Sequence, residues 1–379
     1  MTRPIYVIGH KNSDMDSVAS AYAYARLLQL QGENEVQAAR NGELKPEVRF
    51  VLRRYKVEAP EAIEDVYLQV RDVMKRGISC AYLDQSLLEA GQLLQENNRR
   101  SMPVVDSENK VHGIITTDDF AKLFFNDLQS SHAVNRLPLN KNNLVQALKG
   151  RVLVEGRRPL GDRVLVGAMQ AETMADYIEP GCLVIIGDRE GAQLTAIEHG
   201  AAALVITGDL LVSERTLASA RKQGVLILST GYHTFTAMRL INLSISVEHI
   251  MRREFDYCHP EDQISEIEGL LTRRRALPVV DSEIRLVGFL SRTDLIKARP
   301  KRVILVDHNE RSQAVDGIEE AELLGIIDHH RIADVHTQKP IMFRADPVGC
   351  TGTIIAGLYH EAGVEIPHEV AGLLLAGLL

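Results

Sequence analysis

Residues able to bind a metal follow a short apolar run near the amino end. The segment GHKNSDMDS (9–17) comes after the run IYVIG and before a helix-forming stretch, which is the strand–turn–helix pattern of an open α/β sheet. Ligands of such sheets bind at the carboxyl ends of the strands. His10, Asp14 and Asp16 therefore lie where chemistry is expected, and each carboxylate could reach one of two divalent metals. Helix capping by Asp16 or Ser17 is the alternative interpretation, but it leaves His10 unexplained.

Two later apolar runs end in the same residue types. The segments VDHNE (306–310) and IDHHR (327–331) both place carboxylates and imidazoles after an apolar strand, and the candidates are Asp307, His308, Asp328, His329 and His330. Mixed imidazole and carboxylate ligands suit Mn, Co, Fe or Zn, whereas Mg prefers mostly oxygen. A ligating imidazole usually donates its other N–H to a carboxylate or carbonyl, and Asp328 is a candidate acceptor for His329.

A two-metal site of this kind predicts chemistry at phosphorus. Two metals can activate a water and stabilise the oxygens of an in-line displacement. The sequence contains no Walker loop, no G-x-S-x-G elbow and no kinase signature. The residues therefore favour hydrolysis of a phosphoester or phosphoanhydride.

Composition limits the remaining possibilities. The 379 residues are 45% hydrophobic and 25% charged, which indicates a globular chain of two to three domains. A net charge of −8, 5% aromatic residues and no Trp disfavour a nucleic-acid surface or a polybasic membrane surface. Four scattered cysteines without a CxxC pair favour a reducing compartment, and no apolar run is long enough to span a membrane. We therefore predict a cytoplasmic protein that binds neither nucleic acid nor membrane.

The elements that must position these residues are interrupted by an internal repeat. Each second copy lies 175–177 residues after the first: VRDVM (70–74) and VEHIM (247–251), MPVVDS (102–107) and LPVVDS (277–282), GIITTDDF (113–120) and GFLSRTDL (288–295). Constant spacing over three blocks indicates duplication of a unit of helix, strand, turn, strand and helix.

Between the repeats, strand-like and helix-like runs alternate, which predicts a compact α/β domain with a parallel sheet. The two ends of the chain share one pattern, an apolar strand followed by polar residues. We expect one parallel-sheet α/β domain formed by 1–68 and 300–379. The α+β repeat units at 69–127 and 246–298 and the middle domain at 130–245 would interrupt it, because insertion at a surface loop costs little loop-closure entropy.

These motifs resemble a known family. GHKNSDMDS, VDHNE, IIDHHR and DPVGCTGTI are similar to the motifs of family II inorganic pyrophosphatases, in the DHH phosphoesterase superfamily. The paired repeats resemble CBS domains, and the segment between them resembles the DRTGG domain of the nucleotide-regulated subgroup. The resemblance covers nearly the whole chain.

The resemblance implies an activity and a set of ligands. Pyrophosphate would be hydrolysed to two orthophosphates with two Mn²⁺ or Co²⁺ ions per site and Mg²⁺ accompanying the substrate. His10, Asp14 and a bridging Asp307 would hold one ion, and Asp16 and His329 would help to hold the second. His330 would contact the substrate phosphate and assist its protonation.

The sequence departs from the family pattern in two ways. Ser13 and Met15 stand where the family usually has Pro and Thr, and neither would be a ligand. The family also continues past the segment EVAGLLLAGLL with S-D-T, whose Asp is a metal ligand, and with a basic domain that clamps pyrophosphate. We therefore expect little or no turnover from this chain alone, since a cationic clamp stabilises a highly charged substrate.

Each repeat ends in a pattern that the resemblance to CBS domains implies would bind a nucleotide. The pairs Thr116/Asp119 and Ser291/Asp294 follow a strand and open a helix, where a carboxylate can accept ribose hydroxyls and a helix N-terminus favours phosphate. Helix capping is the alternative. The resemblance implies AMP, ADP or ATP-type regulators and a homodimer, because CBS pairs commonly associate.

Two other functions remain open at this point. One is a DHH-type phosphoesterase acting on small nucleotides. The other is a non-catalytic module that senses adenylates.

Overall fold

The computed structural model describes residues 4–129, 135–136, 138–334, 336–337 and 339–379. The predicted start of the middle domain at residue 130 lies outside these residues. The chain forms two compact units. The first unit comprises Met1–Val73, Glu261–Arg273 and Arg292–Leu379, and the second unit comprises Met74–Pro260 and Arg274–Ser291. The second repeat, predicted as one segment at 246–298, is thus divided between the units.

The elements follow one another along the chain as α/β segments at both ends and mixed segments between them. The first stretch contains β1 (Ile5–Ile8), α1 (Met15–Leu30), β2 (Val36–Arg40), α2 (Pro46–Tyr55), β3 (Glu61–Ala62) and α3 (Val70–Val73). The first repeat adds β4 (Ala81–Tyr82), α4 (Leu87–Glu96), β5 (Ser101–Val105), β6 (Val111–Thr116) and α5 (Thr117–Gln129). The middle segment contains β7 (Asn135–Arg136), α6 (Lys141–Ala147), β8 (Arg151–Val154), β9 (Arg163–Val166), α7 (Ala171–Ala175), β10 (Leu183–Ile186), α8 (Glu190–Glu198), β11 (Ala203–Thr207), α9 (Glu214–Gln223), β12 (Leu226–Thr230) and α10 (Thr234–Asn242). The remainder contains α11 (Ile264–Arg273), β13 (Ala276–Val280), β14 (Leu286–Ser291), α12 (Arg292–Lys297), β15 (Arg302–Val306), β16 (Glu322–Asp328), β17 (Met342–Ala345), α13 (Thr351–Glu361) and α14 (His368–Leu378).

The first unit is built on a six-stranded parallel sheet in the order β17-β16-β15-β1-β2-β3. The strand β1 pairs on one side with β2 and on the other with β15, so that Ile8 lies opposite Leu305. β2 and β3 follow β1 toward one edge of the sheet, and β16 and β17 follow β15 toward the other edge. The sheet therefore reverses its strand order between β1 and β15, which is where an open α/β sheet forms its ligand crevice.

Both faces of this sheet are covered at its centre, which explains why the central strands β1 and β15 are almost entirely apolar. On one face Val7 and Val306 pack with Tyr24 and Ile355 from helices α1 and α13. On the other face Ile8 belongs to a second buried cluster that includes Leu305, Val303 and Val315. The two ends of the chain thus contribute to the same buried clusters.

The second unit contains a separate six-stranded sheet, in the order β7-β9-β10-β11-β12-β8. Its strands β9 to β12 are parallel, whereas β7 and β8 are antiparallel edge strands. The repeats supply a three-stranded sheet (β4, β5 and β6) and a two-stranded sheet (β13 and β14). Over the residues described, no helix is long and apolar enough to cross a membrane.

The repeats share a local geometry that their sequences predict. In each, an antiparallel pair of five- and six-residue strands is joined by a tight turn, β5 to β6 and β13 to β14, with the same register shift before the turn. In both turns an aspartate, Asp106 or Asp281, accepts backbone N–H groups two and four residues on. This explains why the letters D-S-E recur, because short acidic side chains stabilise such turns.

Candidate functional site

The carboxyl ends of β1, β15 and β16 meet at the reversal of the sheet. His10 follows β1, Asp307 follows β15, and His329 and His330 follow Asp328, the last residue of β16. The candidate ligand atoms of His10, Asp14 and Asp307 lie within 4.8 Å of one another, and so do those of Asp307, His329 and His330. Residues separated by about 290 positions therefore form one cluster.

Asp307 is at the centre of this cluster. Its Oδ2 lies 3.5 Å from His10 Nε2, and its Oδ1 lies 3.5 Å from His329 Nε2. The residue is 2% exposed and its φ is +65°, in the left-handed region that a side-chain-bearing residue seldom adopts. Backbone in this region costs free energy and is common at functional sites. The strained turn directs the carboxylate between two imidazoles.

Each of these imidazoles is oriented by a carbonyl. His10 Nδ1 lies 2.7 Å from the Lys11 oxygen, and His329 Nδ1 lies 3.0 Å from the Val348 oxygen. Nδ1 can donate to each carbonyl, which leaves Nε2, the atom that faces Asp307, as the ring nitrogen available to an ion. Metal-ligating histidines use this arrangement, with one nitrogen held by a neighbour and the other presented to the ion. The donor set therefore fits Mn²⁺ or Co²⁺.

Asp14 combines the predicted ligand position with helix capping. Its Oδ1 accepts a hydrogen bond of 3.0 Å from Ser17 N and caps α1, while its Oδ2 lies 3.6 Å from His10 Nε2. The capping alternative named Asp16 or Ser17, and the structure corrects it to Asp14. The Asp14 and Asp307 carboxylates raise the pKa of His10 to about 10, and His10 lowers the pKa of Asp14 to about 2.

Asp16 lies beside Asp307 and accepts hydrogen bonds from the start of a second helix, α13. Its Oδ2 accepts from Thr351 N at 2.7 Å and its Oδ1 from Gly352 N at 2.9 Å, so that it caps α13. Ser20 Oγ also donates to it at 3.1 Å. Burial, and next the charge of Asp307, raises the pKa of Asp16 to about 6. Asp16 is in neither of the two ligand groups found among the described residues.

His330 is held by the buried Asp328. Asp328 Oδ1 lies 2.8 Å from His330 Nδ1 and accepts from His330 N at 3.2 Å, whereas His329 is oriented by Val348. The prediction that Asp328 orients His329 is therefore wrong, because the turn after β16 places the second imidazole, not the first, over the carboxylate. The His330 side chain is 52% exposed, so it can meet a ligand from solvent.

Two neighbours complete the cluster. His308 is buried, and its Nδ1 bonds to the Val306 oxygen at 2.9 Å. Burial lowers its pKa to about 4, which keeps the ring neutral. No hydrogen-bond partner for its Nε2 is found in the described part of the chain. Thr351, which sequence reasoning missed, donates from Oγ1 to Asp307 Oδ1 at 2.9 Å. Its place in DPVGCTGTI was the available signal.

The first repeat brings its predicted residues together in the second unit. Asp119 Oδ2 accepts from Thr116 N at 2.9 Å and from Thr116 Oγ1 at 2.6 Å, the helix-capping arrangement that was the alternative interpretation. Its Oδ1 accepts from Arg252 Nε at 2.8 Å. Sequence reasoning missed Arg252, although aligning the repeats places a basic residue after the methionine in both copies, Lys75 and Arg252.

In the second repeat the predicted residues occupy corresponding elements. Ser291 is the last residue of β14, and Asp294 is a buried residue of α12. The strand and the helix belong to different compact units.

The segment between the two ends of the chain matches known domains. Residues 143–244 match the DRTGG domain, and residues 70–126 and 247–301 match the CBS domain. A crystal structure of the CBS and DRTGG domains of the regulatory region of Clostridium perfringens pyrophosphatase, complexed with the activator diadenosine tetraphosphate, is 25% identical. It covers 59% of this chain and 100% of that one, with a TM-score of 0.55.

Comparison with whole proteins extends over the rest of the chain. The cobalt-dependent inorganic pyrophosphatase of Clostridium perfringens is 34% identical over 99% of this chain and 69% of its own length. The probable manganese-dependent inorganic pyrophosphatase of Thermotoga maritima has the same identity and coverage. The chain therefore belongs to the manganese- or cobalt-dependent family II inorganic pyrophosphatases that carry a CBS and DRTGG regulatory region.

Proposed function

We propose that this protein hydrolyses inorganic pyrophosphate to two orthophosphates with Mn²⁺ or Co²⁺, and that adenine nucleotides bound to the CBS repeats regulate it. One observation carries the catalytic part: a buried carboxylate, Asp307, presents one oxygen to each of two imidazoles. A carboxylate shared in this way can serve two ions, which is what a two-metal phosphoryl site requires.

Two ligand sets follow from this arrangement. His10, Asp14 and Asp307 would hold one ion, and Asp307, His329 and Asp16 would hold the second. When bound, the ions supply an activated water and stabilise negative charge on the phosphate oxygens, and Mg²⁺ accompanies the substrate. Ligation by Asp16 competes with the hydrogen bonds it accepts from Thr351 and Gly352.

His330 is proposed to protonate the departing phosphate. Asp328 Oδ1 lies 2.8 Å from His330 Nδ1 and orients the ring, so that a proton on Nε2 can be donated to the oxygen of the departing phosphate. The bridging P–O bond breaks, water supplies the new oxygen on the attacked phosphorus, and two orthophosphates leave. The half-exposed position of the ring allows it to reach a substrate at the rim of the site.

Regulation is proposed at the pairs Thr116/Asp119 and Ser291/Asp294. An adenylate would place its ribose hydroxyls on the aspartate and its phosphate near the helix N-terminus. The relative whose regulatory region was crystallised binds diadenosine tetraphosphate as an activator. We also propose that the protein works in the cytoplasm as a homodimer.

Phosphate release from pyrophosphate tests the catalytic proposal and also the expectation of little turnover from this chain alone, so the protein concentration is set high enough to resolve a hundredfold loss. The purified protein is assayed with Mn²⁺, Co²⁺ or a chelator, beside Asp307→Asn and the exposed control Asp316→Asn. Release that requires the metal, falls by at least about a hundredfold in Asp307→Asn and persists in Asp316→Asn supports it.

Other outcomes favour other functions. Cleavage of a model phosphodiester in preference to pyrophosphate would favour the small-nucleotide phosphoesterase. Adenylate binding without metal-dependent phosphate release would favour a sensing module.

A further inference from the structure

Arg252 is brought to the first-repeat site by a backbone contact between the two repeats. Its N donates to the Ile114 oxygen at 2.9 Å, and Ile114 N donates back to the Arg252 oxygen at 3.1 Å. Ile114 lies two residues before Thr116 on the same strand, β6. The backbone of the second repeat therefore fixes where the Arg252 side chain begins.

The Arg252 guanidinium is hydrogen-bonded to the two side chains, Asp119 and Thr116, that a nucleotide would contact. Its Nε donates to Asp119 Oδ1 at 2.8 Å, and its Nη2 donates to Thr116 Oγ1 at 3.3 Å. The other oxygen, Oδ2, already accepts from Thr116 N and Oγ1. A ligand hydroxyl that binds Asp119 on Oδ1 therefore competes with Arg252 for that oxygen.

When a ligand hydroxyl displaces Arg252 from Asp119, the ligand decides whether the guanidinium finds another partner. Asp119 is 5% exposed, and a hydroxyl can satisfy it, but the displaced guanidinium then loses a charge-assisted hydrogen bond. The Arg252 side chain is 41% exposed, so it can turn away from Asp119 without unpacking the core. A phosphate on the same ligand gives the planar guanidinium an anionic partner that can accept two hydrogen bonds, whereas a neutral nucleoside gives it none.

We propose that Arg252 is a specificity-determining residue, which selects phosphorylated adenine nucleotides over neutral nucleosides at the first-repeat site by exchanging Asp119 for the ligand phosphate. This inference rests on the proposed adenylate binding to the CBS repeats.

At the second-repeat site the first repeat places a cation, Lys75, at the same register. Lys75 N lies 3.0 Å from the Phe289 oxygen and Phe289 N lies 2.9 Å from the Lys75 oxygen, and Phe289 precedes Ser291 by two residues. The pairing thus repeats with Lys in place of Arg. A lysine is a compact point charge without the guanidinium fork, so phosphate selection should be a property of Arg252 chemistry at the first site.

Calorimetric titration with AMP and with adenosine tests the proposal. The full chain is compared with Arg252→Gln and with the control Arg253→Gln. Arg253 is the neighbouring arginine; it is exposed and donates to the Glu248 oxygen. In the unchanged chain one binding event should prefer AMP to adenosine by roughly tenfold to a hundredfold, the range of a hydrogen bond to a charged group. Arg252→Gln should weaken AMP at that event while adenosine binds equally or more tightly, and Arg253→Gln should change neither.

A second variant guards against a folding defect, since Asp119 is buried. Arg252→Lys keeps a charge beside Asp119 and should fold, with an AMP preference between those of the unchanged chain and Arg252→Gln. Equal loss of AMP and adenosine affinity in either folded variant would show a purely structural ion pair and overturn the inference. So would an unchanged AMP preference in Arg252→Gln.

The same titration separates this inference from the proposal beneath it. If the unchanged chain binds no adenine compound, nucleotide regulation fails and the inference fails with it. If it binds AMP but Arg252→Gln behaves as the unchanged chain does, regulation stands and only the role of Arg252 is refuted.

Discussion

Asp307 and His329 face each other at the ends of two adjacent strands, with Oδ1 and Nε2 3.5 Å apart. The other oxygen of the same carboxylate faces His10 at the same distance. This relationship depends on the reversal of strand order between β1 and β15, because a sheet wound in one direction would separate the amino end of the chain from residue 307.

Asp307→Asn should weaken Mn²⁺ binding. The substitution replaces one carboxylate oxygen by an NH₂ group, so one of the two imidazoles loses its shared anionic partner. Titration followed by the electron spin resonance of free Mn²⁺ should show at least about a hundredfold weaker binding. Asp316→Asn should bind as the unchanged chain does. Equal affinities in the two variants would remove Asp307 from the metal site.

Asp16→Ala should destabilise the first unit more at pH 5 than at pH 8. It removes the acceptor for Thr351 N and Gly352 N, which costs about 1–3 kcal/mol for unsatisfied buried groups. The raised pKa means that folded Asp16 binds a proton more tightly than unfolded Asp16, so its contribution to stability falls as the pH rises from about 4 through about 6.

Urea unfolding in the presence of a chelator measures this difference. Ser20→Ala, which removes a single hydrogen bond to Asp16, is the matched control and should show a smaller loss. An Asp16→Ala loss that grows between pH 5 and pH 8 would contradict the assigned direction of the pKa shift.

His330→Gln should lower kcat and leave metal binding intact. Loss of a general acid costs typically 10²–10⁴-fold in rate, and the proposed metal ligands are unchanged. Mn²⁺ affinity and kcat are measured on the same preparation. A large loss of Mn²⁺ affinity would instead make His330 a ligand, as its grouping with Asp307 and His329 allows.

Gly113→Ala should destabilise the second unit. A Cβ at this position would lie 2.6 Å from the Arg252 oxygen and 2.9 Å from Met251 Sδ, so the contact between the repeats must open. Gly269→Ala is the control, because nothing lies within 4 Å of its Cβ and it sits inside α11. The control should gain roughly 0.5–1 kcal/mol from helix propensity. Thermal unfolding distinguishes them, and an unchanged or higher melting temperature for Gly113→Ala would contradict the tight approach.

Much of this arrangement could be predicted from the sequence, and what could not depends on side-chain geometry. Apolar runs ending in His and Asp predicted which strand ends meet, and the repeats predicted their strand pairs. The capping residue was misplaced because Asp14, Asp16 and Ser17 all favour an N-cap and only the start of α1 decides between them. Asp328 was assigned to the wrong imidazole because adjacent histidines differ only in the direction that the turn gives them. Arg252 was missed because its partner is 133 positions away.

The central claim is that ions bind around Asp307. Anomalous diffraction at the manganese absorption edge, from crystals grown with Mn²⁺, locates them directly. The account predicts two peaks on opposite sides of the Asp307 carboxylate, one beside His10 and Asp14 and the other beside His329. Manganese peaks remote from Asp307, or none on protein that hydrolyses pyrophosphate, would contradict it.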